Sequence, residues 1–390
     1  MEKVKYWRAL VIGGLFSFII CFVDPIRVMV SKGASMTSDY SIGAAFFYFF
    51  IIVLINGLIG KINKRFSLNT EELVIIFGMM AVSCAIPTWG FALNLIPLMP
   101  GIYYYADPSW EASVIPYVNK AITVSDKNAI DWFFEGLPKG YTVPWDKWLI
   151  PLTLWFVLIF SVYLLSILVM YFVSKRWIEE ERLLYPITIP PVELLKKENT
   201  FPPVMKDKLF YLGILIPFII LGLYCLHIYF PSIPPLILSR TYSIFRRTTG
   251  INIRVAFEVI GLIYFISLDV SFSLWLFFLL FTMQKGMFNI TGFGTQEFLP
   301  YNADRPLLGW QSLGSLIVIV LYGLWISRKN LLRIIKAKEG NEIISPKTAS
   351  IGMIICFLFI YFWLLYSGLS PLPSILFIFF AFLIYIGITR

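Results

Sequence analysis

Long apolar segments recur along the whole sequence, and short polar links separate them. One helical crossing of a bilayer needs roughly 20 predominantly apolar residues, so such segments are typical of transmembrane helices. The composition agrees, because 58% of the residues are hydrophobic and only 14% are charged, whereas about 25% are charged in soluble domains. The sequence therefore predicts an all-α, polytopic transmembrane helical bundle.

The distribution of charge excludes one class of partner. The formal net charge is +9, yet the lysines and arginines lie in short links between apolar segments, which is the positive-inside pattern of membrane proteins. Nucleic-acid binding is therefore not expected. The lipid bilayer is the expected partner surface.

Residue types that carry enzyme chemistry are sparse. His227 is the single histidine, and the four cysteines lie far apart inside apolar segments, without metal-ligand spacing. The sequence contains no zinc motif, catalytic dyad or nucleotide-binding loop. We therefore expect a protein that is not an enzyme and that holds no cofactor or metal.

Charge also orients the segments relative to the membrane. Lysine and arginine near the start place the N-terminus in the cytoplasm, and a link rich in acidic and aromatic residues suits the outer face. We predict one integral domain over residues 1–390 in the cell membrane, with about eight crossings. The expected spans are 9–23, 44–58, 73–102, 149–173, 209–230, 310–326, 351–366 and 374–388. The expected cytoplasmic links are 59–70, 174–208 and 327–348, and the long outer loop is 103–147.

The segment 255–284 does not fit a simple crossing. It is apolar over about 30 residues, where one crossing needs roughly 20, and residues 267–269 interrupt it. The basic links on either side require an even number of crossings between Lys208 and Arg328. A re-entrant hairpin satisfies that parity, and a single long tilted span is the alternative. The two half-length helices would be 256–266 and 271–283.

Asp269 is the first candidate for a functional residue. A carboxylate within hydrocarbon is costly, so its presence favours a functional role. It would contact substrate or carry a coupling proton, with Ser267 and Ser271 as further polar groups where the two half-helices meet. The alternative is structural, because Asp269 can cap the second half-helix by accepting the N–H of Ser271 or Phe272. Both interpretations stay open.

Glu258 is a second acidic candidate in the same segment. It precedes Asp269 by eleven residues, about three helical turns, so a straight helix would place both on one face. In a hairpin the two would separate. The structural alternative is an ion pair with Arg254, four residues earlier at the membrane boundary.

A proline-containing interruption divides the third span. Pro87, Thr88 and Trp89, followed by Gly90, stand between two apolar stretches. Transporters use such broken helices at their binding sites, because the freed backbone groups must face protein or a wet cavity. An ordinary proline kink is the alternative, and the sequence does not decide between the two.

Charged residues at the ends of spans give further candidates. Glu181 and Arg182 lie directly after the fourth span, so they are candidates for a gate or docking contact on the cytoplasmic side. A solvated charged face is the alternative there. Asp24, next to Pro25, is interpreted as a cap at the end of the first span.

The segment 69–72 indicates the start of a helix just before the third span. Asn69 is a capping residue, and Glu71 and Glu72 are acids in the first turn, where the helix dipole favours them.

Five segments together resemble a known family. They are SIGAAFF at 41–47, EELVIIFGMM at 71–80, WFFEGLP at 132–138, RWIEEERLLYP at 176–186 and LDVSFSLW at 268–275. The chain resembles a family of archaeal and bacterial membrane proteins of unassigned function, which is itself similar to the oligopeptide transporter (OPT) superfamily. Members of that family continue with a further membrane region. The resemblance therefore implies a missing C-terminal region or an additional membrane subunit.

The function that the resemblance implies is that of an OPT-like secondary transporter, or a subunit of one. It would move a small peptide or another organic solute with proton coupling, and a homo-oligomer is a further expectation. The alternative is a non-transporting membrane scaffold, or an assembly subunit of a larger membrane complex.

Overall fold

Helices dominate the structure. The computed structural model describes residues 6–30, 35–37, 42–87, 91–183, 185–196, 201–234, 236–293, 306–336 and 345–390, with backbone alone for Lys175, Arg176 and 329–336. The chain is 76% helical, and the described residues contain a single two-stranded sheet. The predicted all-α class is confirmed.

The elements follow in chain order. The helices are α1 (Tyr6–Met29), α2 (Gly43–Ile62), α3 (Thr70–Ser83), α4 (Ala92–Tyr104), α5 (Pro108–Ser113), α6 (Lys127–Glu135), α7 (Trp145–Glu179), α8 (Ile189–Leu195), α9 (Lys208–Tyr229), α10 (Phe257–Ile263), α11 (Leu268–Thr291), α12 (Pro306–Lys336), α13 (Pro346–Ser367) and α14 (Pro371–Thr389). Short 3-10 turns cover Lys64–Phe66, Ile115–Tyr117, Pro186–Thr188 and Pro203–Lys206, and the strands are β1 (Ser239–Ile244) and β2 (Thr249–Arg254).

Eight helices in the described part of the chain are long and apolar enough to cross a membrane, which agrees with the predicted number. They are α1, α2, α7, α9, α11, α12, α13 and α14. Their membership differs from the prediction at two places. The third predicted span is absent from this set, and α11 is present instead.

The third predicted span, 73–102, is divided into two helices. α3 has 14 residues and α4 has 13, whereas a crossing helix needs at least about 17. The described residues between them, 84–87 and Phe91, are not helical. Pro87 supplies no N–H and blocks a continuous helix at this point. The interruption predicted from Pro87 is present.

The chain folds into two compact units. One comprises Met1–Asn94 with Leu184–Phe293, and the other comprises Leu95–Leu183 with Gly294–Arg390. The single integral domain over 1–390 stays a prediction.

In the first unit, α1, α2 and α3 share an apolar core. Ala9 and Ile20 of α1, Phe49 of α2, and Ile76 and Met80 of α3 are all buried in it. These positions recur at helical spacing, so each helix turns one apolar face inward.

α1 and α3 run in the same direction. Near the start of α1, Arg8 donates to the carbonyl of Phe66 at 2.7 Å, just before α3 begins. Further along, the Cys21 thiol lies 3.7 Å from the carbonyl of Ser83, the last residue of α3. The two helices therefore keep corresponding ends together, which positions the polar groups described below.

The segment 255–284 contains two helices, and residues 264–267 separate them. The second helix is longer than the predicted half-helix 271–283, because α11 has 24 residues and ends at Thr291. Polar residues near position 284 do not stop a helix, whereas Gly292, with φ of 69°, closes it. The predicted length of this helix was wrong, and re-entry of the segment into the membrane stays a prediction.

A β-hairpin that the sequence analysis did not predict precedes α10. β1 and β2 pair antiparallel, from Ser239 opposite Arg254 to Ile244 opposite Thr249. β2 alternates Thr249, Ile251 and Ile253 with other residue types, and β1 contains three β-branched or aromatic residues among six, which is the signal that was available in the sequence.

The tip of this hairpin is fastened to α11. The ring of Phe245 lies against Gly286, where a Cβ atom would stand 2.2 Å from Cδ2 of the ring. The Asn289 amide donates to the carbonyl of Thr248 at 3.0 Å and to the hydroxyl of Thr249 at 2.8 Å. Glycine at position 286 is therefore required for this contact.

In the second unit, α7 packs against α13, and α12 packs against α14. The region 103–147, predicted as a long outer loop, is held on these helices: Trp155 Nε1 donates to the carbonyl of Ile122 at 2.9 Å, and Asn119 donates to the carbonyl of Tyr366 at 2.6 Å. The buried apolar residues of this unit include Ile122, Leu165, Cys356, Ile360, Trp363, Leu364 and Ile378.

Candidate functional site

Asp24 is a buried carboxylate within α1. It is 5% exposed, and it shares a helix face with Ala9, Gly13 and Ile20, which are also buried. Helical spacing therefore carries Asp24 to the side of α1 that packs on α3. Pro25 follows directly and removes a backbone N–H from the last turns of the helix.

Four groups hold the Asp24 carboxylate. Arg27 Nη2 donates to Oδ1 at 2.9 Å, and the N–H of Met36 donates to the same oxygen at 3.1 Å. The hydroxyl of Ser35 donates to Oδ2 at 3.1 Å, and the hydroxyl of Thr37 donates to it as well. A desolvated carboxylate is costly without such donors. Asp24 thus fastens the polar link that follows α1. It does not end the helix, because α1 continues through Pro25 to Met29, so the predicted cap at the end of the first span was wrong.

The end of α3 lies beside this cluster. The Cys21 thiol, one turn before Asp24, is 3.7 Å from the carbonyl of Ser83. Cys84 is near enough to Asp24 for the two side chains to interact electrostatically. The Asp24 carboxylate therefore stands next to the point at which the helical path of α3 is broken.

Only part of the predicted break is described. Pro87 is partly buried, whereas Thr88 and Trp89 lie outside the described residues. The N–H of Ala92, the first residue of α4, donates to the carbonyl of Ile86 at 2.9 Å. This hydrogen bond brings the start of α4 back to the end of α3.

A second buried carboxylate lies at the other end of the same core. Glu72 is 1% exposed, and its Oε2 accepts the N–H of Asn69 at 2.9 Å, which confirms the predicted start of this helix. Its Oε1 is enclosed, and no donor among the described residues reaches it. Asn56 of α2 closes this end by donating to the carbonyl of Leu68 at 3.2 Å and accepting its N–H at 2.6 Å.

Ser17 lies between the two carboxylates along α1. Its hydroxyl is enclosed, and it too has no hydrogen-bond partner within the described ranges. Because Gly13 lies against Ile76 and the helices run in the same direction, Glu72 and Asp24 are roughly 20 Å apart along the helix axes at 1.5 Å per residue. Polar groups are thus spread along most of the interface between α1 and α3.

Asp269 lies at the exposed surface, in the first turn of α11. Ser267 occupies the N-cap position, and the N–H of Ser271 donates to its carbonyl at 3.0 Å. The structure therefore brings these three predicted residues together. In the described part of the chain, the Asp269 carboxylate accepts no hydrogen bond from Ser271 or Phe272, so the proposed cap is not formed.

Glu258 is separate from Asp269. It is exposed in the first turn of α10, and the break before α11 prevents the shared face that a straight helix would give. Over the ranges that the structure describes, Glu258 and Arg254 form no ion pair. The structural alternative for Glu258 is therefore wrong.

Of the two candidates predicted to lie on the cytoplasmic side, Glu181 contacts a distant residue of its own chain. Its carboxylate accepts from Arg390 Nη2 at 3.0 Å, and both side chains are largely covered. Arg182 is exposed and has a left-handed backbone, with φ of 50°. Their role as a gate or docking contact stays a prediction.

An aromatic cavity lies in the second unit. Its volume is about 380 Å³, and α6, the following loop and the start of α7 form most of its wall. The lining is almost wholly apolar. The aromatic lining residues are Trp132, Phe133, Trp145 and Trp148.

One protein family matches the chain over almost its whole length. Residues 2–390 match DUF6785, described as a family of unknown function. The chain belongs to DUF6785. No curated protein and no solved structure matches it. The predicted relation of this family to OPT transporters stays a prediction.

The Asp24 cluster gives this DUF6785 chain a definite chemical capacity. A guanidinium and two hydroxyls lie within hydrogen-bond distance of one carboxylate, and hydroxyls can either donate or accept. A charged solute or a proton can replace one of the hydrogen bonds within this cluster. Among the described residues, no group of three or more His, Cys, Asp or Glu is placed to hold a metal ion.

From the sequence, Asp24 and Glu72 of this DUF6785 chain were assigned structural roles at helix ends. Asp269 was ranked above both as a functional candidate. One signal for Asp24 was present, because Ser35 and Thr37 stand in the polar link just after a span that contains an acid. The sequence around Glu72 did not indicate that this residue would be buried, because a glutamate can cap a helix start that is exposed just as well.

Proposed function

We propose that this DUF6785 protein is a secondary transporter, or a subunit of one, that moves a small organic solute with proton coupling. The supporting observation is the buried Asp24 carboxylate, which pairs with the partly exposed Arg27 beside the break between α3 and α4. Ionisable residues inside membrane segments mark ion and substrate pathways. Broken helices offer backbone groups to the same pathways.

The Asp24–Arg27 pair favours a zwitterionic solute. An amine can compete for the Asp24 carboxylate, and a carboxylate can compete for the Arg27 guanidinium, because both are strong charge-assisted interactions. Ser35 and Thr37 can reverse their hydrogen bonds as the partner changes. A small peptide carries both charged groups, in keeping with the OPT-like function implied by the sequence resemblance.

Glu72 and Ser17 support proton coupling. Each presents an enclosed oxygen without a described hydrogen-bond donor, and a protonated carboxyl group would use that oxygen as a donor. They lie on the same α1–α3 interface as Asp24. We assign them to the path of the proton, and the solute to the Asp24 end.

Asp269 keeps a place in this proposal as the residue selected from the sequence. Its exposure at the start of α11 makes it a contact for a solute at the surface, with Ser267 and Ser271 beside it. We rank it after Asp24, because the environment of an exposed carboxylate changes little when a proton or a solute binds to it.

The test uses the purified full-length protein in liposomes that contain a pH-sensitive dye. A mixture of di- and tripeptides is added outside together with an inward proton gradient. We expect peptide-stimulated acidification, reduced to background by Asp24→Asn, which keeps the side-chain shape and removes the charge. Asp107→Asn, an exposed acid in the outer region, is the matched control and should retain the flux.

Other outcomes reassign or reject the proposal. Loss of flux in Asp269→Asn with full flux in Asp24→Asn would move the coupling role to Asp269. Peptide-independent acidification, or none, with correctly folded wild-type protein would reject peptide–proton transport.

One observation favours the alternative function of a membrane scaffold or assembly subunit. α9 is 22 residues long and strongly apolar, yet none of its residues is buried. A span that packs so little against its own chain leaves a whole surface for lipid or for another helix.

The exposed Cys225 in α9 tests this alternative. A bis-maleimide crosslinker applied to native membranes should join α9 to a partner, and the product should disappear in Cys225→Ser. Monomeric protein alone, at full labelling of Cys225, would argue against an assembly role for this helix.

A further inference from the structure

A wholly apolar groove lies in the second unit between α7, α12, α13 and α14. Its volume is about 560 Å³, and every lining residue is aliphatic, methionine or phenylalanine. Along α14 the lining extends from Ile375 to Ile386, roughly 16 Å at 1.5 Å per residue. The hydrocarbon core of a bilayer is about 30 Å thick, so one leaflet contributes about 15 Å. The groove therefore matches the length of one acyl chain.

Arg390 lies at one end of this groove. Its N–H donates to the carbonyl of Ile386 at 3.1 Å, so it stands one helical turn beyond the last lining residue of α14. Its guanidinium crosses over Gly323 of α12, where a Cβ atom would be 2.4 Å from Nη1. The neighbouring residue, Leu324, belongs to the groove wall. Glu181 holds Arg390 in this position.

Arg328 marks the same end on α12. It is exposed, four residues beyond Leu324, and its guanidinium lies 4.1 Å over the ring of Trp325 while donating to the Trp325 carbonyl at 2.7 Å. The sequence of α12 continues with Lys329, Arg333 and Lys336. An apolar groove of one-leaflet length thus ends at a basic helix terminus.

We propose that this groove binds one anionic phospholipid, with an acyl chain along α14 and the phosphate beside Arg328. The charge at the groove end selects an anionic headgroup, because arginine near the bilayer surface attracts anionic lipid. The length of the groove and its basic end fit one acyl chain with a charged headgroup, and the dimer outcome below tests a helix of another subunit in its place. The proposal is independent of the transport function.

The experiment is native mass spectrometry of the full chain, purified and then exposed to phosphatidylglycerol or phosphatidylcholine. We expect retained phosphatidylglycerol on the wild type. Leu321→Trp should fill the groove and abolish the adduct, since Leu321 lies in the wall and is 46% exposed. Val318→Trp is the matched control on the same helix, 66% exposed and outside the groove, and should retain the lipid.

The charge is tested separately. Arg328→Gln should lower the ratio of phosphatidylglycerol to phosphatidylcholine adducts about five-fold, because one arginine near a membrane surface contributes about 1 kcal/mol to anionic-lipid binding. Lys64→Gln, a surface cation in the first unit, should leave the ratio unchanged.

Three results would overturn the proposal. They are equal retention of both lipids by the wild type, an unchanged adduct in folded Leu321→Trp, and a lipid-free dimer that Leu321→Trp dissociates. Thermal unfolding of each variant establishes folding. If Leu321→Trp does not fold, the ratio of phosphatidylglycerol to phosphatidylcholine adducts on Arg328→Gln decides the proposal, and an unchanged ratio overturns it.

Discussion

Two regions of the first unit contain an acid within an apolar segment, and they solve the same problem differently. Around Asp24, Arg27 of α1 donates to the carboxylate, and the chain after α1 folds back to add two hydroxyls and a backbone N–H. Around Asp269, the helix begins at the surface, and the carboxylate is exposed, without a described hydrogen-bond donor.

The comparison shows that the position of an acid in an apolar segment does not decide its environment. A buried carboxylate is stable where hydrogen-bond donors converge on it, as they do on Asp24. At Asp269 a helix break precedes the acid, and its side chain is exposed. The two regions are also fixed differently. The α1–α3 region has a continuous apolar core. By contrast, Phe245 and Asn289 attach α11 to the tip of the β-hairpin.

The largest expected effect concerns the path of the α10–α11 segment. Unpaired strand edges are not tolerated in hydrocarbon, so the whole hairpin should lie on one membrane face. Since its tip contacts the end of α11, that end should lie on the same face as the hairpin base. In a background without native cysteines, Asn252→Cys and Thr291→Cys should both react with an impermeant maleimide from one side of sealed vesicles. Labelling from opposite sides would establish the single long span instead.

The second prediction compares the two acids directly. Asp24→Ala removes the acceptor of four described hydrogen bonds, one of them charge-assisted, which should lower the free energy of unfolding by about 2–4 kcal/mol. Asp269→Ala removes an exposed side chain without described partners and should change it by less than about 0.5 kcal/mol. Thermal and denaturant unfolding in detergent measures both. Equal losses would mean that the Asp24 cluster carries no special stability.

The third prediction tests the contact that holds the α10–α11 region. A methyl group in Gly286→Ala overlaps the Phe245 ring, so we expect destabilisation of about 1–3 kcal/mol, as for other overpacked sites. Hydrogen exchange in β1 and β2 should accelerate, since Phe245, Arg246 and Arg247 hold left-handed φ values of 51°, 54° and 65° that are costly without support.

Gly261→Ala is the matched control for Gly286→Ala, because a Cβ at position 261 meets nothing within 4 Å. Phe245→Ala combined with Gly286→Ala should recover part of the loss. If Gly286→Ala leaves strand exchange unchanged, the hairpin is held elsewhere.

The smallest expected effect is a pH dependence at Asp107. This exposed acid caps the start of α5 with its side chain, whereas the Asp269 carboxylate does not cap α11. The hydroxyl of Ser109 and the N–H of Trp110 donate to its carboxylate, and they lower the pKa of Asp107 below the ordinary value of 3.8. Its contribution to α5 is therefore complete above pH 3.8 and is lost as the pH falls through the lower value in the folded protein. Amide exchange in α5, corrected for its intrinsic pH dependence, should rise over that range. Asp107→Asn should remove this dependence, and an unchanged profile would contradict it.

Local signals in the sequence were sufficient for much of the fold. Apolar length predicted a membrane bundle with about eight candidate crossings, Pro87 predicted the break after α3, and Asn69 with Glu72 predicted where α3 begins. The interruption near Ser267 was also predicted within one turn. Each of these features depends on residues that are neighbours in the chain, because helix propensity, capping and proline geometry act over a few residues.

Tertiary structure alone decided which acid is buried and what holds it. Three of the four donors to Asp24 come from a link 11 to 13 residues later. The Phe245 ring needs Gly286, and the partner of Glu181 is 209 residues away. These contacts form only when separate segments pack together, and their free energy depends on the exclusion of water at that place. The sequence by itself determined that acids stand in apolar segments, and packing determined that Asp24 is enclosed while Asp269 is exposed at the surface of the chain.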